Sequence, residues 1–596
     1  MKDFVKMTLA VICGLFLFGI IALILSISVV SSVAAAGQGA PVLPKSGVMV
    51  IDMSEMSIVE QASPDMDVMA ALQGTSMTQM GLWNAVQAIN AAAADPSVKY
   101  IYLKPDGVDA GIAELQEFRT SLANFRLSGK PVISYIEAPS TASYYLASVA
   151  DKVYMTSCEG ATSMIIGVGS QLIFLKDILD KVGVNVQLIR HGKYKSAGEM
   201  YIKNAPSPEN LQQNQEMIDA IWRSYASEIA EGRNLSVEAV NDAIDNLLLN
   251  NPEDFLNAGF VDELLSREEL HSKLADLAVV DSFKKLKSFT LADYAAAKVL
   301  PNIKAKKKIA IIYADGEIVD GNGKQEVSGD HFASVISKVR ADSTVKAVVF
   351  RVNSPGGSVL ASAKIKDEIE LLKAEKPVVA SYGDYAASGG YWISNSCDKI
   401  FSDATTLTGS IGVFSMIPDL DKVLHDVAHV NIVTVGSNKH VDMYSMMRPL
   451  DQDELDYQQA AVERIYDTFV SIVAEGRGLE KEFVDSVAQG RVWAGSDAIK
   501  IGLVDEIGTL EDAIKWAAAS AGDPELEAWN VAEYPKPLTA VEQVMANFGK
   551  MPSDENIFAG TPFSNVAETL LKWNARMKKN PSDVMFARIP YAIEIK

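Results

Sequence analysis

Residues 345–372 read VKAVVFRVNSPGGSVLASAKIKDEIELL, and this stretch decides the fold class. The apolar run at 347–352 is typical of a buried strand. A glycine-rich turn follows, and beyond it Ile365, Ile369 and Leu372 share one face, which predicts an amphipathic helix. The stretch therefore predicts one strand-turn-helix unit.

The alternation of strand and helix continues towards the C-terminus. Residues 377–381 are the next predicted strand, and 386–395 opens another predicted helix. Strands that alternate with helices of this length form a mostly parallel sheet with crossover helices. The predicted fold class is therefore α/β.

The chain also repeats itself. The string KPV at position 130 recurs at 376, DKV at 151 recurs as DKI at 398, and EGR at 231 recurs at 475. Matched strings in the same order, with small gaps, are typical of a duplicated domain. We predict two copies, at 45–300 and 305–545, and a tail with little pattern at 546–596.

The N-terminal region is strongly apolar. No charged residue lies between Lys6 and Lys45, and residues 7–33 are long and apolar enough to cross a bilayer as a helix. We predict an uncleaved transmembrane anchor at 1–36; the alternative is a cleaved signal peptide, whose apolar core is usually shorter. Lys2 and Lys6 favour a cytoplasmic N-terminus, which places the body on the periplasmic side of a bacterial inner membrane.

Composition argues against two classes of function. Asp and Glu outnumber Lys and Arg by 76 to 54, and clustered positive charge for binding nucleic acid is missing. Three cysteines and six scattered histidines show no disulfide framework and no metal-ligand spacing. We expect no nucleic-acid partner, no metal and no cofactor.

Two loops of the second copy are candidates for the active site, because they follow the carboxyl ends of consecutive predicted strands. NSPGG at 353–357 leaves backbone N–H groups open to a ligand, and AASGGY at 386–391 places Ser388 at a helix start. Each loop alone is more typical of a structural turn or an N-cap. Together they supply a nucleophile and two oxyanion donors. The candidate oxyanion or substrate-binding residues are Gly356, Gly357 and Gly389.

A serine nucleophile needs a base. The histidines of the second copy lie among charged or polar residues, which favours exposed positions. A lysine kept neutral by burial is the alternative, and Lys195, in HGKYKSA at 191–197, is the candidate.

Four motifs together resemble the signal peptide peptidases known as protease IV, and the resemblance extends over nearly the whole chain. They lie at 192–197, 353–358, 386–391 and 408–412, and the closing segment RIPYAIEIK at 588–596 is similar too. The resemblance implies two tandem Clp protease/crotonase-like domains behind an N-terminal transmembrane helix. It also implies a tetramer-like homo-oligomeric ring and cleavage of hydrophobic peptides, chiefly released signal peptides.

The resemblance further implies a role for each site residue. The nucleophile of the family falls on Ser388, its general base on Lys195 and its oxyanion glycine on Gly357. A serine that hydrogen-bonds the lysine falls on Ser410, a role that fits the need of a buried amine for partners.

Copy one lacks the matching groups. Thr141 stands at the position of Ser388, and Asp109 and Ala110 replace the paired glycines, which would place a carboxylate where an oxyanion must bind. We therefore expect one active site per chain. If copies alternate around a ring, the lysine reaches Ser388 from copy one, so Lys195 rather than its counterpart Lys439 is the predicted base.

Two other functions fit the same pattern less well. A crotonase-type acyl-CoA enzyme would use paired backbone amides, but it leaves Lys195 and Ser410 unexplained. A non-catalytic membrane scaffold would not explain why all the candidate residues are present, namely Ser388, Lys195, Ser410 and Gly357.

Overall fold

A computed structural model describes most of the chain, namely residues 41–62, 77–324, 326–537 and 585–588. The predicted anchor at 1–36 lies outside these residues, as does most of the predicted tail. Within the described ranges, no helix combines the length and the apolar character that a membrane span requires.

The two halves of the chain are built from similar elements. The first half contains β1 (Gly47–Asp52), β2 (Met56–Val59), β3 (Thr78–Gly81), α1 (Leu82–Ala94), β4 (Val98–Lys104), α2 (Ile112–Arg126), β5 (Val132–Ile136), α3 (Thr141–Ala147), β6 (Lys152–Thr156), α4 (Lys176–Val182), β7 (Asn185–Arg190), α5 (Glu199–Ile202), α6 (Pro208–Arg233), α7 (Val237–Asp245), α8 (Pro252–Asn257), β8 (Glu263–Leu265), α9 (Arg267–Leu277), β9 (Ser288–Thr290) and α10 (Leu291–Lys298).

The second half contains β10 (Lys308–Asp315), β11 (Ile318–Val319), β12 (Val327–Ser328), α11 (Gly329–Ala341), β13 (Val345–Ser354), β14 (Gly356–Ser358), α12 (Val359–Lys373), β15 (Val378–Ala387), α13 (Gly389–Ser394), β16 (Lys399–Ser402), β17 (Leu407–Gly409), β18 (Phe414–Asp419), α14 (Gln452–Arg477), α15 (Lys481–Val487), β19 (Val492–Ala494), α16 (Gly495–Ala498), β20 (Glu506–Ile507), α17 (Leu510–Ser520), β21 (Asn530–Tyr534) and β22 (Met585–Arg588).

The sheets confirm both the α/β class and the tandem repeat. The first sheet has the order β9-β1-β4-β5-β6-β8, and all its pairs are parallel. In the second sheet the corresponding strands have the corresponding order, β21-β10-β13-β15-β16-β20, and all these pairs are again parallel. β17 and β19 extend it beside β15, and β19 is the antiparallel member.

The stretch that predicts the fold forms the predicted elements. The run at 347–352 lies inside β13, and the predicted helix is α12, with Ile365, Ile369 and Leu372 buried. Ser358 caps the start of this helix, since its hydroxyl accepts a hydrogen bond from the Ala361 amide at 3.2 Å.

One predicted boundary is wrong. The helix expected to open at residue 386 begins at Gly389, because β15 continues to Ala387. Ala386 and Ala387 pair with Thr408 and Gly409 of β17, and this pairing keeps their backbone extended. Ser388 therefore lies at the junction of strand and helix.

The two repeats pack on each other through a shared core and a buried ion cluster. One hydrophobic cluster contains residues of both repeats, among them Leu103 and Val349. Within the interface, Arg351 of β13 donates to both carboxylate oxygens of Glu60 at 2.8 Å and lies 2.7 Å from Glu117 of α2. All three side chains are buried. A buried charge is costly unless it is paired, so separation of the repeats would leave Arg351 without its carboxylate partners.

One strand of the first repeat joins the second repeat. β7 pairs antiparallel with β18 along its whole length, from Asn185 opposite Asp419 to Arg190 opposite Phe414. This pairing places the segment that follows β7, residues 191–197, against the second repeat.

Candidate active site

Ser388 has an unusual backbone conformation. Its φ is +56° and its ψ is −113°, which is strained for a residue with a Cβ. The Ser388 amide donates to the Gly409 carbonyl at 2.8 Å, which holds the junction between β15 and α13 in place. The side chain is fully buried. Strain of this kind persists only where the surrounding structure enforces it, and functional sites are where it concentrates.

Lys195 reaches Ser388 from the first repeat. Its Nζ lies 2.9 Å from Ser388 Oγ and 3.0 Å from Ser410 Oγ, and it also donates to the Ser410 carbonyl at 3.3 Å. The structure thus brings together the three predicted catalytic residues within one chain. Ser410 itself has φ +49°, and its amide is held by the Arg491 carbonyl at 2.7 Å.

Two glycines to which the sequence analysis assigned no role make room for the lysine. A Cβ on Gly490 would lie 2.5 Å from the Cβ of Lys195, and one on Gly412 would lie 3.2 Å from its Cδ. A side chain at Gly490 would therefore displace the lysine. Nothing local in the sequence signals the role of Gly490, because the close approach joins it to Lys195, which is distant in sequence.

Burial changes the proton affinity of Lys195. The side chain is 1% exposed, and loss of hydration lowers the pKa of its amine from 10.5 to about 7. Its hydrogen-bond partners within the described chain are hydroxyl and carbonyl groups of Ser388 and Ser410, with no carboxylate to stabilise the ammonium form. A large fraction of the amine is therefore neutral near pH 7, as a general base requires.

The predicted oxyanion glycines lie beside Ser388. A Cβ on Gly389 would be 3.1 Å from the Gly357 amide nitrogen, and one on Gly356 would be 2.7 Å from the Gly389 amide nitrogen. Gly357 also lies against β11, where a Cβ would be 1.9 Å from the Ile318 carbonyl oxygen. The two loops therefore meet backbone to backbone, an approach that only glycine permits.

The matching positions of copy one are arranged differently. Thr141 is buried, and its hydroxyl accepts hydrogen bonds from the Ile166 and Gly167 amides, each at 3.1 Å. Lys439 has an exposed side chain and forms an ion pair with Asp453, which raises the pKa of its amine. Within the described chain, no lysine is bonded to the Thr141 hydroxyl.

Three of the histidines lie against carboxylates, namely His191, His425 and His440. His191 lies 2.5 Å from a Glu463 oxygen, and in the described part of the chain no histidine or carboxylate is bonded to Ser388.

His440, Asp451 and Glu454 lie close enough together to suggest metal ligands. Glu454 already accepts from Arg448 at 2.8 Å, so this group is an ion-pair network at the start of α14.

Comparison with known proteins agrees with this architecture. The sequence profile of peptidase family S49 matches residues 124–281 and 370–522, one segment in each repeat. Protease 4 of Haemophilus influenzae is 35% identical over 76% of this chain and 75% of its own length. Protease 4 of Salmonella typhi is 33% identical over 79% and 76%, and a chloroplastic serine protease SPPA of Arabidopsis thaliana is 31% identical over 77% and 68%.

A ClpP1 mutant from Listeria monocytogenes aligns with 34% of this chain and 94% of its own, at 18% identity and a TM-score of 0.24. That score is too low to define the fold, which the sheet topology defines directly.

The paired α/β repeats and the sequence matches define a serine protease. The chain belongs to peptidase family S49, and it contains two segments that match the family, one in each repeat. The acyl-CoA enzyme and the non-catalytic scaffold find no support in these matches.

Ser410→Ala is expected to lower kcat by about 10- to 100-fold, because the amine of Lys195 loses its 3.0 Å hydroxyl partner and its fixed orientation. The check is peptide hydrolysis measured beside the unfolding temperature. Ser163→Ala, at the matched position of copy one, serves as control and should be as active as the wild type. Full activity of Ser410→Ala would remove Ser410 from the site, and a change in stability alone would make it a packing residue.

Proposed function

We propose that the chain is an endopeptidase with Ser388 as nucleophile and Lys195 as general base. The observation that carries this proposal is the 2.9 Å contact between a buried lysine and a serine in a strained backbone conformation. Ser410 is the positioning residue for the lysine. The amides of Gly357 and Gly389 are the proposed oxyanion donors.

The proposed reaction proceeds in two steps. The neutral amine of Lys195 takes the proton of Ser388 Oγ as that oxygen attacks the peptide carbonyl carbon. The two amides stabilise the oxyanion, and the ammonium then returns the proton to the leaving amine, which leaves an acyl-enzyme. Water, deprotonated by the same lysine, attacks the ester, and the ammonium returns this proton to Ser388 Oγ as the second product is released.

The proposed substrates are hydrophobic peptides, chiefly signal peptides already released from preproteins. The relatives named protease 4 support peptide-bond hydrolysis, and the apolar run at 7–33 supports a single-pass anchor in a bacterial inner membrane. We further propose that the body lies on the periplasmic side and that the chain forms a tetramer-like ring.

A serine-reactive phosphonate probe tests the nucleophile directly. The probe is expected to label the full-length protein at Ser388, with a peptide map locating the adduct, and to stop hydrolysis of an unstructured apolar peptide in parallel. Labelling elsewhere together with lost activity would refute the assignment of Ser388.

The pH dependence tests the base. The competent amine is neutral, so kcat/KM should rise by about tenfold per pH unit below the midpoint and level off above it. The midpoint is expected at about 7, where burial places the pKa of Lys195, instead of near 10.5. His191→Asn should leave the midpoint unchanged. A profile that loses its midpoint in that variant would point to an imidazole base.

A further inference from the structure

A tight turn at residues 488–491 contacts both the proposed base and the serine that positions it. The Ser410 amide donates to the Arg491 carbonyl at 2.7 Å, and Ser410 Oγ donates to the Gly490 carbonyl at 3.5 Å. The turn also packs on the backbone of Lys195, since a Cβ on Gly490 would lie 2.7 Å from the Lys195 Cα. A displacement of this turn would therefore move the amine of Lys195 relative to its hydroxyl partner.

The backbone of this turn is unfavourable for the first of its two central residues. The Arg491 amide donates to the Ala488 carbonyl at 2.9 Å, and the residues between them both have positive φ, +55° at Gln489 and +78° at Gly490. Glycine adopts such angles freely, whereas a residue with a Cβ is strained by them. Contacts from outside the turn are therefore needed to hold Gln489 in this conformation.

Tyr466, a buried residue of α14, supplies such contacts. Its hydroxyl accepts hydrogen bonds from the Gln489 amide at 3.3 Å and from Gln489 Nε2 at 3.1 Å, and it donates to a carboxylate oxygen of Asp485. Gln489 Nε2 donates to the same oxygen of Asp485 at 2.8 Å. A phenol both accepts and donates, so it can join the amide groups to the carboxylate, as no hydrocarbon side chain could.

The ring of Tyr466 contacts the segment that contains Lys195. It stacks on the imidazole of His191, with ring centroids 3.7 Å apart and planes 20° apart. In the same segment, the Tyr194 amide donates to the Gln489 carbonyl at 3.0 Å. Tyr466 therefore contacts the lysine segment through its ring and the turn through its hydroxyl.

We propose that Tyr466 is a positioning residue for the base, because its hydroxyl keeps the turn at 488–491 in the conformation that packs Gly490 against Lys195. This proposal rests on the proposed function, in which Lys195 is the base. The hydroxyl acts through the turn and does not contact the oxyanion glycines, so its loss should lower kcat and alter the proton affinity of the amine while KM stays nearly constant.

Tyr466→Phe tests the hydroxyl, because phenylalanine keeps the ring on His191. In the full-length protein, kcat for an apolar peptide, measured above the midpoint of the pH profile, should fall by about tenfold, with KM within about twofold of wild type. A looser turn admits water to the amine of Lys195, so the midpoint should rise from about 7 by about 0.5 to 1 pH unit. Tyr457→Phe, at an exposed position of the same helix, is the matched control and should behave as the wild type. Wild-type kcat and an unchanged midpoint in Tyr466→Phe would overturn the proposal.

Glycine at position 489 separates positioning from packing. Gln489→Gly removes the Cβ that makes a positive φ unfavourable, so the turn no longer depends on the hydroxyl. Combined with Tyr466→Phe, it should restore kcat to within about threefold of wild type and return the midpoint to about 7. A double variant no more active than Tyr466→Phe would overturn the proposal, since the loss would then come from packing alone.

A second comparison does not require Tyr466→Phe to fold. Gln489→Ala and Gln489→Gly both remove the amide side chain, and they differ only in the Cβ. In otherwise wild-type protein, Gln489→Ala should have the lower kcat and the higher midpoint, because alanine is still strained at a positive φ. Equal values in the two variants would show that the turn needs no external support, which would overturn the proposal.

Lys195→Ala, assayed in parallel, distinguishes the failure of this proposal from the failure of the proposed function. An inactive Lys195→Ala beside a fully active Tyr466→Phe would overturn the positioning role alone. An active Lys195→Ala would overturn the assignment of the base, and the positioning role with it.

Discussion

Ser388→Ala is expected to reduce peptide hydrolysis by about 10⁴-fold or more, the scale seen when a nucleophile is removed from a serine protease. The substitution deletes one buried oxygen and leaves the Cβ, so the strained junction of β15 and α13 stays occupied by a small residue. Lys195 keeps its bonds to Ser410. Folding and assembly should therefore match the wild type by thermal unfolding and gel filtration.

Ser394→Ala is the matched control for that experiment. Ser394 is another buried serine of α13, and its hydroxyl donates within the helix to the Gly390 carbonyl at 2.8 Å. Its loss should affect stability more than turnover. Substantial turnover by Ser388→Ala, beyond what a contaminating protease supplies, would show that another residue is the nucleophile.

Lys195→Ala is expected to be inactive, with a loss of about 10³-fold or more, whereas Lys439→Ala should stay within about twofold of wild type. The repeat places the two lysines at matching positions, so the pair is an internal control. Lys195 is buried against Ser388, and Lys439 is exposed beside Asp453. Lys195→Met, which fills the space without a base, should be equally inactive and excludes a cavity as the cause. An inactive Lys439→Ala with an active Lys195→Ala would mean that each repeat builds its own site.

The fold class could be predicted because its signals are local. The apolar run of β13 and the buried face of α12 lie within one short stretch, and the duplication is visible as matched strings. The start of α13 could not be placed, because the pairing of Ala386 and Ala387 with β17 decides it.

The candidate site was predictable only in part, for the same reason. Ser388 and the glycine loops lie near strand ends, where sites are expected, but the approach of Lys195 depends on β7 crossing to β18. Gly490 carries no local signal at all, since its importance comes from a partner that is distant in sequence.

The crossing of β7 also decides how the site depends on protein concentration. Lys195 comes from the first repeat and Ser388 from the second, yet both belong to one polypeptide. Dilution therefore cannot separate the lysine from the serine, as it would if two single-repeat chains had to associate. The candidate site is therefore assembled within a single polypeptide, in a unimolecular step.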